Sequence, residues 1–121
     1  MKTVLVVDDT KSDQLLAQGL LKSLGTNTVV CSNAQEALDW LQNNVVPDLI
    51  MLDVVMPDVS GYDLCRQIRG DLALEDVPIV FCSTKNEDYD RFWALRQGGN
   101  AYLTKPYSPS ELMKTVKAYI S

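Results

Sequence analysis

The amino-acid sequence predicts an α/β protein in which five parallel strands alternate with five helices. Short, uniformly apolar runs recur along the chain, and each is followed by a longer segment whose apolar residues recur at helical spacing. Strands that are apolar on both faces are typical of a parallel sheet covered by helices on both sides, the doubly wound architecture. A chain of 121 residues suits one core. We therefore expect residues 1–121 to form one domain, with no output domain after the last helix.

The first two strand–helix units are marked by apolar runs and by residues typical of helix ends. The run TVLVV, residues 3–7, predicts the first strand, and residues 28–31 predict the second. Gly25 suits the end of the first helix, and Ser32 with Gln35 predicts a capping box at the start of the second. The first helix is indicated by leucines at a spacing of four, with two more beside them: Leu16, Leu20, Leu24, Leu15 and Leu21.

The other three units follow the same alternation. Residues 49–52, 79–82 and 101–104 predict the third, fourth and fifth strands. Ser60-Gly61 opens a helix that runs to about Gly70, and a further helix is predicted from about Glu87 to Gln97. The last helix has the clearest start, with an N-cap serine, a proline and a glutamate in the sequence Ser108-Pro109-Ser110-Glu111. This helix is predicted to reach the final residue.

The composition excludes several functions. The net charge is −5 and no basic patch is visible, so we do not expect binding to nucleic acid. The chain has no histidine, which excludes histidine-based catalysis, histidine metal ligands and a phosphohistidine in this chain. No segment suits a signal peptide or a membrane span. The three cysteines are far apart, and we expect reduced core thiols in a cytoplasmic protein: Cys31, Cys65 and Cys82.

Polar residues follow four of the five predicted strands. Because the carboxyl ends of parallel strands meet at one edge of a sheet, where such sheets bind ligands, we expect these side chains to converge. They are Asp8 and Asp9 after the first strand, Asp53 after the third, Ser83 and Thr84 after the fourth, and Lys105 after the fifth.

The types of these residues indicate phosphoryl chemistry with Mg²⁺. Three clustered carboxylates are tolerated only with a cation or with raised pKa values. Carboxylate oxygens without histidine or thiolate favour Mg²⁺, which commonly binds phosphate as well. A lysine and a hydroxyl suit the remaining phosphoryl oxygens. An aspartate can itself be the nucleophile and form an acyl phosphate.

The chain resembles the response-regulator receiver domains, of the single-domain CheY-like kind, over its whole length. The resemblance rests on the acidic pair Asp8-Asp9, on Asp53 in LDVVMP, and on Ser83, Tyr102 and Lys105-Pro106. It implies a flavodoxin-like fold with strand order 2-1-3-4-5. It also implies transfer of a phosphoryl group to Asp53 from the phosphohistidine of a sensor histidine kinase or of its phosphotransfer domain.

The same resemblance implies a Mg²⁺ site on the acidic cluster. Asp9, Asp53 and the backbone carbonyl of Val55 would bind the ion directly, and Asp8 would act through a water molecule. The protein would then catalyse only its own phosphorylation and slow dephosphorylation, and would not be an enzyme in the usual sense.

The resemblance also implies that the other site residues respond to the phosphoryl group. Lys105 would pair with it, Ser83 would hydrogen-bond to it, and Tyr102 would turn inward as the switch aromatic. The downstream protein target would meet the face formed by the fourth helix, the fifth strand and the fifth helix. The resemblance further suggests a cis Lys105-Pro106 bond.

One segment is similar to a narrower group. The run STKNEDYDRFWALRQGGNAYLTKP resembles the regulators of type IV pilus twitching and phototaxis pathways, the PilH type, which suggests a role in motility or taxis. Its aromatic residues Tyr89, Phe92 and Trp93 are a candidate partner surface, although aromatics at helical spacing more often have one member in the core.

The sequence departs from the family near the nucleophile. Val55 stands where many members carry a polar residue, Thr84 where a small residue is common, and Lys85 where an acidic one is frequent. These departures leave phosphorylation intact and predict slow loss of the phosphate.

Other functions remain open at this stage. A haloacid-dehalogenase-type phosphatase uses an aspartyl nucleophile, but it needs a second acidic residue two positions later, where this chain has Val55. A carrier of flavin mononucleotide needs a hydroxyl- and glycine-rich phosphate loop, where Asp8-Asp9 would repel the phosphate. A receiver-like module that binds partners without phosphorylation is a third. Labelling by acetyl phosphate with Mg²⁺, turnover of a phosphomonoester and the colour of the protein distinguish them.

Overall fold

A computed structural model of the protein describes residues 1–120 and shows, within them, five strands that each precede a helix. The strands are β1 (Thr3–Val7), β2 (Asn27–Cys31), β3 (Leu49–Asp53), β4 (Ile79–Ser83) and β5 (Ala101–Thr104). The helices are α1 (Lys11–Ser23), α2 (Ala34–Asn43), α3 (Gly61–Arg69), α4 (Asp88–Arg96) and α5 (Pro109–Ile120). The predicted order of elements is confirmed. The prediction that the last helix reaches the final residue concerns Ser121, which lies outside the described residues.

The strands form one parallel sheet in the order β2-β1-β3-β4-β5, as predicted. After β1 the chain forms β2 on one side of it, and it then crosses to form β3 on the other side of β1. A crevice therefore opens above the carboxyl ends of β1 and β3, where the direction of winding reverses. The third strand lies at the centre of the sheet, with β1 on one side and β4 on the other.

Each face of the sheet has its own hydrophobic cluster. On one face, Ile50, Leu52 and Phe81 pack with residues of α2, α3 and α4. On the other, Met51 and Leu103 pack with residues of α1 and α5. Strand residues alternate between the two clusters, which explains why β3 and β4 are buried along their whole length.

The inward face of α1 does not follow the leucine spacing. Leu15 and Leu16 are 56% and 48% exposed, whereas Gln14, Ala17 and Leu21 are buried. The small Ala17 lets the helix approach the sheet closely. Gln14 is buried because its amide nitrogen donates to the backbone carbonyl of Asp8 and to the Ser32 hydroxyl. The leucine spacing that indicates this helix therefore does not by itself give its buried face.

Most of the predicted helix ends are confirmed, and one is displaced. Gly25 has φ +74°, the left-handed conformation expected after a helix. At α5, the amide of Glu111 donates to the Ser108 hydroxyl and Ser108 N donates to the Glu111 carboxylate, which is a capping box.

The capping box predicted from Ser32 and Gln35 is wrong by one position. The N-cap of α2 is Asn33, whose side-chain oxygen accepts from Glu36 N at 2.9 Å. The Glu36 carboxylate in turn accepts from Ser32 N. The serine hydroxyl is already bonded to Gln14, so the neighbouring asparagine caps the helix.

One arginine ties together the loops at the opposite edge of the sheet from the crevice. Arg69 donates from all three guanidinium nitrogens to the carbonyl oxygens of Leu74, Val77 and Gly98 and to the side chain of Asn100. Asn100 in turn accepts from Ile79 N at the start of β4. The α3–β4 and α4–β5 connections are thus held by one side chain.

Candidate functional site

The candidate site lies at the carboxyl ends of β1, β3, β4 and β5. Asp53 ends the central strand, level with Cys82 of β4, and the amide of the next residue, Val54, donates to the Cys82 carbonyl. A Cβ atom at Gly61 would overlap the backbone carbonyl oxygen of Asp53, so only glycine lets α3 begin so close to the strand end. The carboxylate is therefore fixed on a strand that is held from both sides.

Three carboxylates meet at this point, as predicted. One oxygen each of Asp8, Asp9 and Asp53 lies within 4.8 Å of the others, and Asp8 and Asp53 are buried while Asp9 is exposed. Burial raises the pKa of the Asp53 carboxyl to about 6. The charge of Lys105 and a hydrogen bond from the Val55 amide oppose that rise, whereas the charges of Asp8 and Asp9 add to it. With three carboxylates and the one ammonium of Lys105, the cluster carries more negative than positive charge.

Lys105 reaches into the same cluster from the end of β5. Its ammonium nitrogen lies 2.7 Å from an oxygen of Asp8 and 3.6 Å from an oxygen of Asp53. Burial acts to lower the pKa of this ammonium, but the hydrogen bond to Asp8 and the charge of Asp53 outweigh burial and raise it above its usual value. Lys105 is therefore charged throughout the physiological pH range.

Comparisons with known proteins assign the family. The family model of the response regulator receiver domain matches residues 4–117, almost the whole chain. The chain belongs to the response regulator receiver family.

Relatives of this receiver include both short and long proteins. It is 30% identical to Protein PilH of Pseudomonas aeruginosa, over all of this chain and 99% of PilH. It is 32% identical to Protein PilG of the same organism, over 97% of this chain and 86% of PilG. It is 37% identical to the alkaline phosphatase synthesis transcriptional regulatory protein PhoP of Bacillus subtilis, but spans only 48% of that protein.

Solved structures agree with the fold of the receiver. A two-component response regulator from Clostridium difficile superposes with a TM-score of 0.90 at 32% identity, covering 99% of this chain and 96% of that one. The Vibrio cholerae chemotaxis protein CheY4 superposes with a TM-score of 0.91 at 27% identity, covering 99% of each chain. The receiver family consists of signalling domains rather than classical enzymes.

Ser83 lines the site of the receiver, and Tyr102 is linked to it through the loop after β4. Ser83 is buried at the end of β4, and its hydroxyl accepts from Lys85 N at 3.2 Å. The Tyr102 ring is buried, and its hydroxyl donates to the Lys85 carbonyl at 2.6 Å. The guanidinium of Arg91 stacks over that ring, 5.5 Å from its centre. Both predicted switch residues therefore contact the loop between β4 and α4.

An opening connects the cluster with solvent. Val55 is 60% exposed there, and Thr84 is exposed as well. The opening is lined by Asp9, Thr10, Asp13, Asp53, Val55, Ser83, Thr84 and Lys105. Every site residue predicted from strand ends thus lines this opening or, in the case of Asp8, belongs to the carboxylate cluster that does.

Asp13 is a site residue that the sequence reasoning missed. Its carboxylate accepts from the Lys105 ammonium at 3.1 Å. It lies in the first turn of α1 and not at a strand end, so the rule that found the other residues passed over it. The signal that could have found it is an acidic residue one helical turn beyond Asp9.

The cysteines of the receiver are not part of its chemistry. Cys31, Cys65 and Cys82 are free and buried, as expected. Burial raises the pKa of the Cys31 and Cys65 thiols to about 11 and that of Cys82 to about 12, so none is a reactive thiolate at neutral pH. Among residues 1–120, no helix has the length and apolar character needed to cross a membrane.

Proposed function

We propose that Asp53 accepts a phosphoryl group from the phosphohistidine of a sensor histidine kinase or of its phosphotransfer domain, and that the receiver passes the signal on through protein contacts. The observation that carries this proposal is the Asp53 carboxylate itself. It is fixed on a central strand, 3.6 Å from a lysine ammonium and within 4.8 Å of two further carboxylates. No nucleic acid is expected to take part.

The proposed chemistry is an in-line transfer. An oxygen of Asp53 forms a bond to phosphorus while the bond from phosphorus to the histidine nitrogen breaks. The electron pair of that bond leaves with the imidazole, which takes up a proton. A carboxylate must be ionised to attack, and a pKa of about 6 leaves Asp53 largely ionised at pH 7.5.

The donor set fits Mg²⁺. Asp8, Asp9 and Asp53 offer only carboxylate oxygens, the ligands that this ion prefers, and a bound cation would offset the mutual repulsion of these three charges. We propose that these three residues hold Mg²⁺, with the Val55 carbonyl as a further ligand. The bound ion would supply positive charge to the phosphoryl oxygens during transfer.

Lys105 and Ser83 supply the remaining donors. The Lys105 ammonium already lies beside Asp53 and pairs with the phosphoryl group formed there. The Ser83 hydroxyl, at the end of the neighbouring strand, hydrogen-bonds to another phosphoryl oxygen. Because Tyr102 is bonded to the loop that follows Ser83, a shift of Ser83 toward the phosphate reaches Tyr102 through that loop.

The output surface of the proposed switch is formed by α4, β5 and α5. Tyr89, Phe92 and Trp93 are all exposed on α4, so the expectation that one member of this group packs inward was wrong. A helix that presents three aromatic side chains beside the switch residue is suited to a downstream protein partner. A histidine kinase that uses ATP as its phosphoryl source would act on the receiver in the cytoplasm.

The likeness to PilH, PilG and CheY4 supports a role in motility or taxis, which stays a proposal for this chain. The prediction that the receiver acts without an attached output domain also stays a prediction. The slow phosphate loss predicted from Val55, Thr84 and Lys85 favours the role of a messenger over that of a sink for phosphate from a shared kinase, and this role is a proposal as well.

The test is phosphorylation by acetyl phosphate with Mg²⁺, followed by intact-mass measurement. The parent should gain one phosphate, and Asp53→Asn should gain none. Asp71→Asn, an exposed aspartate in the loop after α3, is the matched control and should be labelled like the parent. Full labelling of Asp53→Asn would contradict the assignment. An unlabelled parent that still binds its partners would instead favour the module that works without phosphorylation, and turnover of a phosphomonoester would favour a phosphatase.

A further inference from the structure

The lysine of the site is shared among three carboxylates, and the proposed acceptor is the farthest of them. The Lys105 ammonium nitrogen lies 2.7 Å from Asp8, 3.1 Å from Asp13 and 3.6 Å from Asp53. An ammonium has three hydrogens to donate. Two of them are already directed at Asp8 and Asp13. Asp13 therefore competes with Asp53, and with any phosphoryl group formed there, for the same cation.

Asp13 differs from an ordinary surface ion-pair partner. The Lys105 side chain is only 11% exposed, whereas Asp13 is 36% exposed, so the Asp13 carboxylate reaches from the rim of the site toward a buried charge. It lines the same opening as Asp9 and Asp53. Because Asp13 and Asp53 both contact one nitrogen, their oxygens are no farther apart than the sum of those two contact distances.

The balance of charge at the opening is negative. Four carboxylates, those of Asp8, Asp9, Asp13 and Asp53, surround the single ammonium of Lys105. The proposed Mg²⁺ would offset two of these charges and leave the opening negative. A phosphodonor is itself an anion at neutral pH, so a carboxylate on the rim repels the phosphorylated molecule that approaches.

We propose that Asp13 is a specificity-determining residue that selects against small, freely diffusing anionic phosphodonors and so favours donors carried by a protein; this inference rests on the proposed function of Asp53. Two effects act in the same direction, because Asp13 both repels the anion and draws Lys105 away from the acceptor. A phosphorylated protein gains binding free energy from contacts outside the opening, which offset this repulsion. A small donor has no such contacts.

The test compares donors of different charge on three variants. Acetyl phosphate is a dianion at neutral pH, whereas phosphoramidate carries a single net negative charge. With acetyl phosphate, the Asp53 oxygen bonds to phosphorus as the bond from phosphorus to the acetate oxygen breaks and acetate leaves. The rate constant of labelling is measured by intact mass at saturating Mg²⁺ for the parent, Asp13→Asn, Asp13→Glu and the remote control Asp71→Asn.

Asp13→Asn should be labelled by acetyl phosphate about threefold to tenfold faster than the parent at low salt, which is the effect of one charge at contact distance in a water-like dielectric. The gain should be smaller with phosphoramidate and should shrink at about 1 M salt, where charges are screened over roughly 3 Å. Asp71→Asn should behave like the parent, and Asp13→Glu, which keeps the negative charge, should show no such gain. A merely structural role for Asp13 would not depend on donor charge or on salt.

Each other outcome overturns the inference. An unchanged rate for Asp13→Asn would show that its charge does not govern donor access, and a slower rate would show that the contact assists Lys105 instead. An equal gain with both donors, or at every salt concentration, would exclude repulsion as the cause. Asp13→Ser, confirmed as folded by its melting curve, repeats the comparison with a smaller side chain. A parent that no donor labels at Asp53 would refute the proposed function, a result distinct from all of these.

Discussion

Replacing Asp53 by asparagine should stabilise the fold at neutral pH, because the ionised aspartate lowers the free energy of unfolding. Its pKa rises from 3.8 to about 6 on folding, chiefly through burial. A higher pKa in the folded protein means that the folded state binds the proton more tightly. The free energy of unfolding therefore falls as the pH rises from about 4 to about 6 and stays low above that window. Asparagine keeps the shape of the neutral carboxyl and removes the charge.

The size of the effect follows from the pKa. At 1.36 kcal/mol for each pKa unit, the rise corresponds to about 3 kcal/mol at pH 7.5. Asparagine accepts a hydrogen bond less well than a carboxylate, so we expect a net gain of about 2–3 kcal/mol. For a chain of this length that is about 10 °C in melting temperature. At pH 4 the gain should shrink to about 0.5 kcal/mol, because the parent carboxyl is then protonated in the folded state.

Urea unfolding, followed by the fluorescence of Trp40 and Trp93, measures this gain for the parent and Asp53→Asn at pH 4 and pH 7.5, with a chelator present. Asp71→Asn is the control for loss of one remote negative charge and should change stability by less than about 0.5 kcal/mol. Mg²⁺ should narrow the gap at pH 7.5, because it binds the parent more tightly. A gain that is absent at pH 7.5, or equally large at pH 4, would refute the reasoning from desolvation and charge.

Three further changes test other parts of the structure. Val55→Asn should speed phosphate loss about fivefold to tenfold, because the asparagine side chain can hydrogen-bond to the attacking water. The decay of radiolabelled phosphoprotein measures this rate. A parent half-life of seconds that Val55→Asn does not shorten would contradict both this mechanism and a messenger role. Asp9→Asn should raise the melting temperature without Mg²⁺ and abolish the response to Mg²⁺, and an unchanged melting temperature would exclude repulsion as the governing effect. Arg69→Lys should lower the free energy of unfolding by about 2–4 kcal/mol, because a lysine cannot donate to all four acceptors. Arg66→Lys, on the exposed face of α3, is the control and should change the free energy of unfolding little in the same urea titration.

The sequence predicted the strands and most helix ends because their causes are local. The apolar runs, Gly25 and the Ser108–Glu111 capping box act over a few residues, and each lies where it was predicted. The inward face of α1 was not predictable in this way. Leucine spacing alone could not show that Gln14 would be buried by partners at Asp8 and in the next strand–helix connection.

The same distinction separates the predicted site residues from the missed one. Asp8, Asp9, Asp53, Ser83 and Lys105 follow strands, so the topology of a parallel sheet is enough to bring them together. Asp13 joins the site through the position of α1 relative to β5, and its partner is 92 residues away. Such a contact depends on how a helix packs, which a local pattern does not report. The N-cap of α2 was predicted one residue too early for a similar reason, because the Ser32 hydroxyl accepts a hydrogen bond from Gln14.

The bond between Lys105 and Asp8 has a consequence for how the site is assembled during folding. It joins residues 97 positions apart, one at the end of the first strand and the other after the last. The four carboxylates of the site, Asp8, Asp9, Asp13 and Asp53, all precede this lysine by more than 50 residues in the chain. Until β5 joins the sheet, the acidic cluster lacks the ammonium that lies 2.7 Å from Asp8 and 3.6 Å from Asp53 in the folded protein. The charges of the site are therefore balanced only in molecules in which β1 and β5 have both taken their places in the sheet.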